Sequence, residues 1–368
     1  MQLLPSSVPV LKIESDFDSH FASIDLLVKS FYLVEAIGRM QGIDPGRPGV
    51  PDFGRKLYHL RYKSALKKAD IKEELRIALQ RKLSPRSIYT LSSEELQEWK
   101  TAYHEYKSNI ESKTYGAVIF DYDGTLCGTT ERQTGININV SNALNRILAK
   151  GITVGIATGR GKSARTDLQG KIKKQYHKNV IIGYYNGADV GLLNDDEIPH
   201  RDTKDESQEL KEVELQLLHH FGKSLNIQVR AKQLTIEFSK ENYFIKDQIR
   251  EFITSKRFEG VAFVESSHSM DIIIKPHVSK LNVIASCMNH LQSSGGKHQE
   301  ILCIGDKGRF PGNDYELLGH SNSLSVDEVS TDKMSCWNFG LPSTRQVLAT
   351  LNYLNKFELH NKSFTISL

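Results

Sequence analysis

Residues 117–126 read Ala-Val-Ile-Phe-Asp-Tyr-Asp-Gly-Thr-Leu. Four apolar residues run directly into two carboxylates and a glycine. A short apolar run that ends so abruptly predicts a buried strand whose C-terminal edge carries Asp121 and Asp123. The same texture recurs along the chain. Residues 141–151 (SNALNRILAKG) predict a helix closing at a glycine. ITVGIAT at 152–158 is a second apolar run, ending in Gly159–Arg160–Gly161, and NVIIGYYNGA at 179–188 is a third. From 278 the rhythm returns: a helix over 279–292, the strand EILCIGD, a glycine-rich loop, an edge strand in SNSLSVDE and a closing helix over 343–356. Strands alternating with helices predict an α/β fold with a parallel sheet and helices on both faces.

Two regions break this rhythm. Residues 190–275 begin with a polar segment and continue as a helix over 205–222, an alternating strand (IQVRAKQLTIEF), a helix near 243–257 and two strand-like runs, GVAFVES and MDIIIK. They read as a small α/β module inserted into the larger one. Residues 1–113 read as mainly helical. In 20–40 the apolar positions Phe21, Ile24, Leu27, Phe31, Val34 and Ile37 recur at helical spacing, and 62–82 and 92–110 predict two more helices. The first stops at GIDPGRPGVPDFG, where proline and glycine cannot continue it. The expected organisation is a helical region over 1–113, a core of 114–189 with 276–368, and an inserted module over 190–275.

Composition narrows the function classes. No stretch approaches the roughly 20 apolar residues of a membrane span. The four cysteines, Cys127, Cys287, Cys303 and Cys336, form no C-x-x-C pair, which argues against a disulfide scaffold or zinc site and fits a reducing compartment. With no leader pattern at Met1, a cytoplasmic location is the expectation. A net charge of +4 helps attract phosphorylated small molecules and is too small to argue for nucleic acid.

Carboxylates two residues apart, just past a strand end, can converge on one point; one can bind a hard cation and attack as a nucleophile while the other exchanges a proton. Here the sequence resembles the haloacid-dehalogenase-like (HAD) hydrolases, the aspartate-nucleophile phosphatases. FDYDGTL looks like their first motif, Ile156–Ala157–Thr158–Gly159–Arg160 their second, Val278–Ser279–Lys280 their third, and Gly305–Asp306 with Gly312–Asn313–Asp314 their fourth. The resemblance implies a three-layer Rossmann-like core, Mg²⁺ as cofactor and a phosphate monoester as substrate.

By the same resemblance Asp121 attacks phosphorus and Asp123 protonates the leaving alcohol, then activates water. Thr158 with Gly124, Thr125, Gly159 and Arg160 would hold the substrate, and Lys280 would screen negative charge. Lys275 is a nearby alternative, but Lys280 follows the Val-Ser step and begins a helix. Mg²⁺ would be held by Asp121, the main-chain carbonyl of Asp123, and Asp306, with Asp314 direct or through water. The fourth motif departs from the family pattern, because six residues rather than two or three separate Asp306 from Asn313.

The inserted module resembles the α/β cap of sucrose-phosphate phosphatase and the Cof-type enzymes. Asn186 and Gly187 lie in the segment entering it, and Arg230, Lys232 and His268 are candidate readers of the leaving group. Residues 42–60 resemble the tail of a sugar-isomerase (SIS) domain. The most favoured function is a sugar-phosphate phosphatase. Two alternatives remain at this point: a regulatory or assembly subunit docking on a protein partner or second copy through its N-terminal region, and a phosphatase of nucleotides or nucleic-acid ends.

Overall fold

The computed structural model describes residues 11–17, 21–42, 71–200, 207–222, 225–239, 242–266, 268–295 and 300–368. The proline- and glycine-rich stretch that resembles a SIS tail, and the first part of the helix expected over 62–82, lie outside these residues. The chain divides into two compact units, Met1–Asp70 and Ile71–Leu368. In the first, α1 (Ala22–Gln41) ends at Gly42, whose φ of 66° supplies the left-handed cap.

The second unit opens with α2 (Glu73–Leu83) and α3 (Ser93–Glu111). Ser92 and Glu95 start α3 with a reciprocal capping box. These helices belong with the core rather than with residues 1–70, so the compact unit starts well before the expected boundary at 113. The reason is packing. Leu79, Tyr106 and Ile110 are buried in the same cluster as Val118, Phe120 and Trp337.

The core then runs as β1 (Tyr115–Asp121), α4 (Ile138–Leu148), β2 (Thr153–Ala157), α5 (Lys162–Lys171), β3 (Val180–Tyr184) and β4 (Asp189–Leu192). The inserted module follows as α6 (Gln208–Phe221), β5 (Asn226–Val229), β6 (Gln233–Glu237), α7 (Lys246–Lys256), β7 (Val261–Glu265) and β8 (Ser269–Ile274). The chain returns through α8 (Leu281–Ser293), β9 (Glu300–Lys307), α9 (Tyr315–Leu318), β10 (Ser323–Glu328), α10 (Gln346–Asn355), β11 (Phe357–His360) and β12 (Ser363–Ile366).

The main path of the core sheet is β10-β9-β1-β2-β3-β4, parallel except for β4. All seven residues of the central strand β1 are buried, as a parallel strand covered on both faces requires. Asp121 therefore emerges at the middle of the sheet's C-terminal edge, where open α/β sheets bind ligands.

Three expectations need correcting. The alternating run 227–238 is not one strand but the hairpin β5–β6, because Arg230–Lys232 turns the chain. Asp189–Leu192 returns antiparallel on β3, so the core sheet extends past 189 before the module begins. The C-terminal helix does not end the ordered chain: β11 and β12 form a hairpin, and β12 pairs with β1 at Tyr115 and Phe364. The alternating Phe357, Leu359, Phe364 and Ile366 that drive this pairing are few and look like a tail when read alone.

Candidate active site

The ends of β1, β2 and β9 and the start of α8 bring together side chains that lie far apart in sequence. Asp121 is 1% exposed at the tip of β1. Its Oδ1 accepts a 2.6 Å hydrogen bond from Lys280 Nζ, and the same ammonium donates to Asp314 Oδ1 at 2.5 Å. Asp314 Oδ2 accepts from the Asp306 and Lys307 N–H groups at 2.9 and 3.1 Å. Lys275, the alternative cation, is instead paired with Glu316.

Asp121, Asp306 and Asp314 offer carboxylate oxygens all within 4.8 Å of one another. Three buried carboxylates against one ammonium leave an excess of negative charge. Burial, then the neighbouring Asp314, pushes Asp121 well above the usual carboxylate range, and the same two causes do so for Asp306. For Asp314, burial raises the carboxyl but Lys280 and the hydrogen bonds outweigh it and hold it low. Asp306 Oδ1 is buried with no hydrogen-bond partner. An oxygen-only donor set with an orphaned oxygen and uncompensated negative charge fits a hard divalent cation. Of the three carboxylates, Asp306 has the oxygen left without a partner, while Asp121 and Asp314 share the Lys280 ammonium.

Glycine is required at 124. Its φ is 83°, and a Cβ there would fall 2.2 Å from Asp306 Oδ2. Thr125, also buried, sits with its hydroxyl 3.4 Å from Asp121 Oδ2. Thr158 follows β2; it donates its N–H to the Gly183 carbonyl at 2.9 Å, while its hydroxyl accepts from the Arg160 N–H at 3.0 Å. Arg160 grips Asp123 with Nε at 2.9 Å and Nη2 at 2.5 Å, and lies over the Tyr122 ring.

A cavity of about 470 Å³ opens above this floor. Asp121, Asp123, Gly159, Arg160 and Asp306 line it from the core, and Arg230 and His268 from the module. Lys232 does not line it; it turns away at the β5–β6 hairpin, with Nζ 3.4 Å from the Ala188 carbonyl. Asn186 and Gly187 sit at the junction. A Cβ on Gly187 would fall 2.1 Å from the Ser279 carbonyl, so this glycine lets the chain entering the module press against the turn that carries Lys280.

Among the lining residues that sequence reading missed are Arg132, Gln233, Thr235 and Asp271. The available signal was Asp271, an acidic residue inside the apolar run Met270–Ile274. The long fourth-motif loop is neither a free surface insertion nor part of the catalytic floor. It reaches the module's edge strand: the Glu265 N–H donates to the Pro311 carbonyl at 2.8 Å and the Asn313 N–H to the Glu265 carbonyl at 2.9 Å. Arg309 reaches the Ser84 carbonyl at 2.6 Å, and Phe310 packs on Phe263 and Tyr315.

Residues 118–244 match the family model described as haloacid dehalogenase-like hydrolase. No curated protein matches the sequence. Among solved structures, the chain is similar to a haloacid dehalogenase-like hydrolase from Bacteroides thetaiotaomicron (15% identity, 56% of this chain and 85% of that one, TM-score 0.41). It is also similar to Aspergillus fumigatus trehalose-6-phosphate phosphatase (18%, 68% and 97%, TM-score 0.41). A third is IMP-bound Plasmodium falciparum IMP-nucleotidase (12%, 84% and 87%, TM-score 0.43). The family match and the four motifs agree on the enzyme class, a hydrolase.

Proposed function

We propose that this chain is a magnesium-dependent phosphatase that hydrolyses the phosphate monoester of a small metabolite, a sugar phosphate, through an aspartyl-phosphate. The observation that carries the reading is the Lys280 ammonium held between Asp121 and Asp314, with Asp306 beside them.

A carboxylate attacking a phosphate dianion must overcome charge repulsion, so preorganised positive charge and N–H donors dominate the barrier. Asp121 attacks phosphorus and the bond from phosphorus to the ester oxygen breaks. Asp123 gives its proton to the departing alkoxide. In the second half Asp123 takes a proton from water, whose oxygen attacks phosphorus and releases inorganic phosphate, restoring Asp121. Thr158 and the Gly159 N–H hold the phosphoryl oxygens, whereas the Gly124 N–H, which the motif would assign to the same task, donates to the Cys127 carbonyl at 2.8 Å. Lys280 screens the negative charge around Asp121 and holds it in place. When bound by Asp121, the Asp123 carbonyl and Asp306, with Asp314 behind them, Mg²⁺ supplies further positive charge at the phosphoryl group. Arg230 and His268, with Asn186 and Gly187 at the junction, shape the leaving-group side.

Purified protein should hydrolyse p-nitrophenyl phosphate in the presence of Mg²⁺ and lose that activity in EDTA. Wild-type protein without turnover on any phosphate monoester in Mg²⁺ would end the reading.

A second role has its own observation. Phe21, Ile24, Leu27 and Phe31 of the first unit are all more than half exposed. Such a face suits a protein partner or a second copy. Deleting residues 1–70 tests this and spares α2 and α3, which pack in the core; a change in mass by light scattering beyond that of the deleted residues is expected.

A further inference from the structure

The module carries a buried carboxylate that none of the steps above uses. Asp271, in β8, is 6% exposed and lines the cavity. Its Oδ1 accepts from the Thr235 hydroxyl at 2.8 Å, and its Oδ2 from Asn186 Nδ2 at 3.0 Å. Asn186 Nδ2 is also 3.0 Å from Gln233 Oε1, and Gln233 Nε2 donates to Thr235 Oγ1 at 2.9 Å. Two strands of the module and the turn after β3 thus hold this one carboxylate in a fixed orientation. Its place is specific as well. A Cβ on Gly159 would sit 3.3 Å from Asp271 Oδ2, so the carboxylate lies beside the turn that receives the phosphoryl oxygens.

A buried carboxylate is costly without a counter-ion. Among the described residues no lysine, arginine or histidine forms an ion pair with Asp271, and burial holds its carboxyl above the usual range despite the two hydrogen bonds. An ionised carboxylate accepts at about four lone-pair positions, of which two are used here. It would repel a phosphoryl oxygen. A group beside the phosphate that donates a proton, such as an alcohol, satisfies it.

We propose that Asp271 is the specificity-determining residue of the site: it accepts a hydrogen bond from a substrate hydroxyl carried close to the ester oxygen, and so selects polyhydroxylated phosphate monoesters over alkyl or aryl ones. The inference rests on the phosphatase reading above and adds to it the residue that reads the leaving group. Thr235, Asn186 and Gln233 are positioning residues, acting through Asp271.

The experiment compares hydroxylated esters with deoxygenated counterparts: glycerol 3-phosphate with n-propyl phosphate, and glucose 6-phosphate with cyclohexylmethyl phosphate. A site built to hydrogen-bond a hydroxyl discriminates strongly against its absence, so wild-type kcat/KM should favour the hydroxylated member of at least one pair by about 100-fold or more. In Asp271→Asn that preference should shrink by about tenfold or more, as expected when a charge-assisted hydrogen bond is lost. Thr235→Val should shrink it by a smaller factor. Thermal melts of both variants separate this from misfolding, and the selectivity ratio does not move for a merely structural role. Hydrolysis of p-nitrophenyl phosphate with no preference within either pair, or an unchanged ratio in folded Asp271→Asn, overturns the inference and leaves the phosphatase reading intact. No turnover of any ester by wild type overturns both.

Discussion

Arg160 holds Asp123 by both carboxylate oxygens, a two-pronged contact between the end of β2 and the end of β1. Arg160 is held in turn by the Tyr122 ring beneath it and by the Arg132 carbonyl, 3.0 Å from its Nη1. The proposed acid and base is thereby fixed in place before substrate arrives. A lysine cannot reproduce a planar fork. Arg160→Lys should lower kcat for p-nitrophenyl phosphate by about 10- to 100-fold, within the range general acid–base catalysis contributes. Steady-state kinetics checks this, and wild-type kcat in the variant would show that the fork is dispensable.

Gly124→Ala should separate the metal site from the fold. The added methyl would collide with Asp306, and φ of 83° disfavours any side chain. The expected result is a loss of Mg²⁺ binding by calorimetry and of turnover, with the circular dichroism spectrum retained. Wild-type Mg²⁺ affinity in this variant would contradict the close approach of Gly124 and Asp306.

Lys82 gives a pH-dependent stability. It is fully buried on α2, with its ammonium bonded to the Asp332 and Ser335 carbonyls and 5.0 Å from the Trp337 ring centroid. Burial pulls its pKa down from 10.5 to about 8. Between those values the unfolded chain binds more protons than the folded one, so stability rises with pH across the window. Below about 8 both states are protonated, and the folded state bears the full cost of the buried charge. Relative to Lys82→Met, the wild type should gain on the order of 1–2 kcal/mol between pH 7.5 and 9.5. Denaturant unfolding of both proteins at the two pH values reads this difference, and a constant gap would contradict it.

The long fourth-motif loop should tie the cap-like module to the core. Removing residues 308–311 restores a two-residue spacing between Asp306 and Asn313 and removes the Pro311 carbonyl that accepts from Glu265. Exchange at the Glu265 amide should then rise by about tenfold or more, because a hydrogen-bonded amide exchanges only when its bond opens. Exchange in β1 should not change. Equal protection at Glu265 in both proteins would show that the loop does not hold the module.

Most of the core was legible because parallel strands covered on both faces leave unbroken apolar runs, as at Ala117–Phe120 and Ile301–Ile304. Asp121, Thr158 and Asp306 fall where such runs stop, and the resemblance to the family motifs singled them out together with Lys280; the structure brings Asp121, Lys280 and Asp306 to one place. Local pattern says little about contacts between distant segments. The burial of Tyr106 and Lys82 against residues 323–337 depends on tertiary packing. Asp271 was read simply as part of a strand, because its significance lies in Asn186, Thr235 and Gly159, which are distant in sequence. Lys232 failed for the converse reason: a basic residue near a predicted strand looks like a ligand reader until the hairpin turn directs it elsewhere.

The central claim is that Asp121 becomes covalently phosphorylated. In Asp123→Asn the first half of the reaction can still occur with an activated ester such as p-nitrophenyl phosphate, whereas hydrolysis of the intermediate lacks its base. Acid quenching followed by peptide mass spectrometry should find one phosphoryl group on Asp121 in that variant, and none when Asp121→Asn is added. A phosphoryl group on another residue, or turnover that persists in Asp121→Asn, would contradict the account.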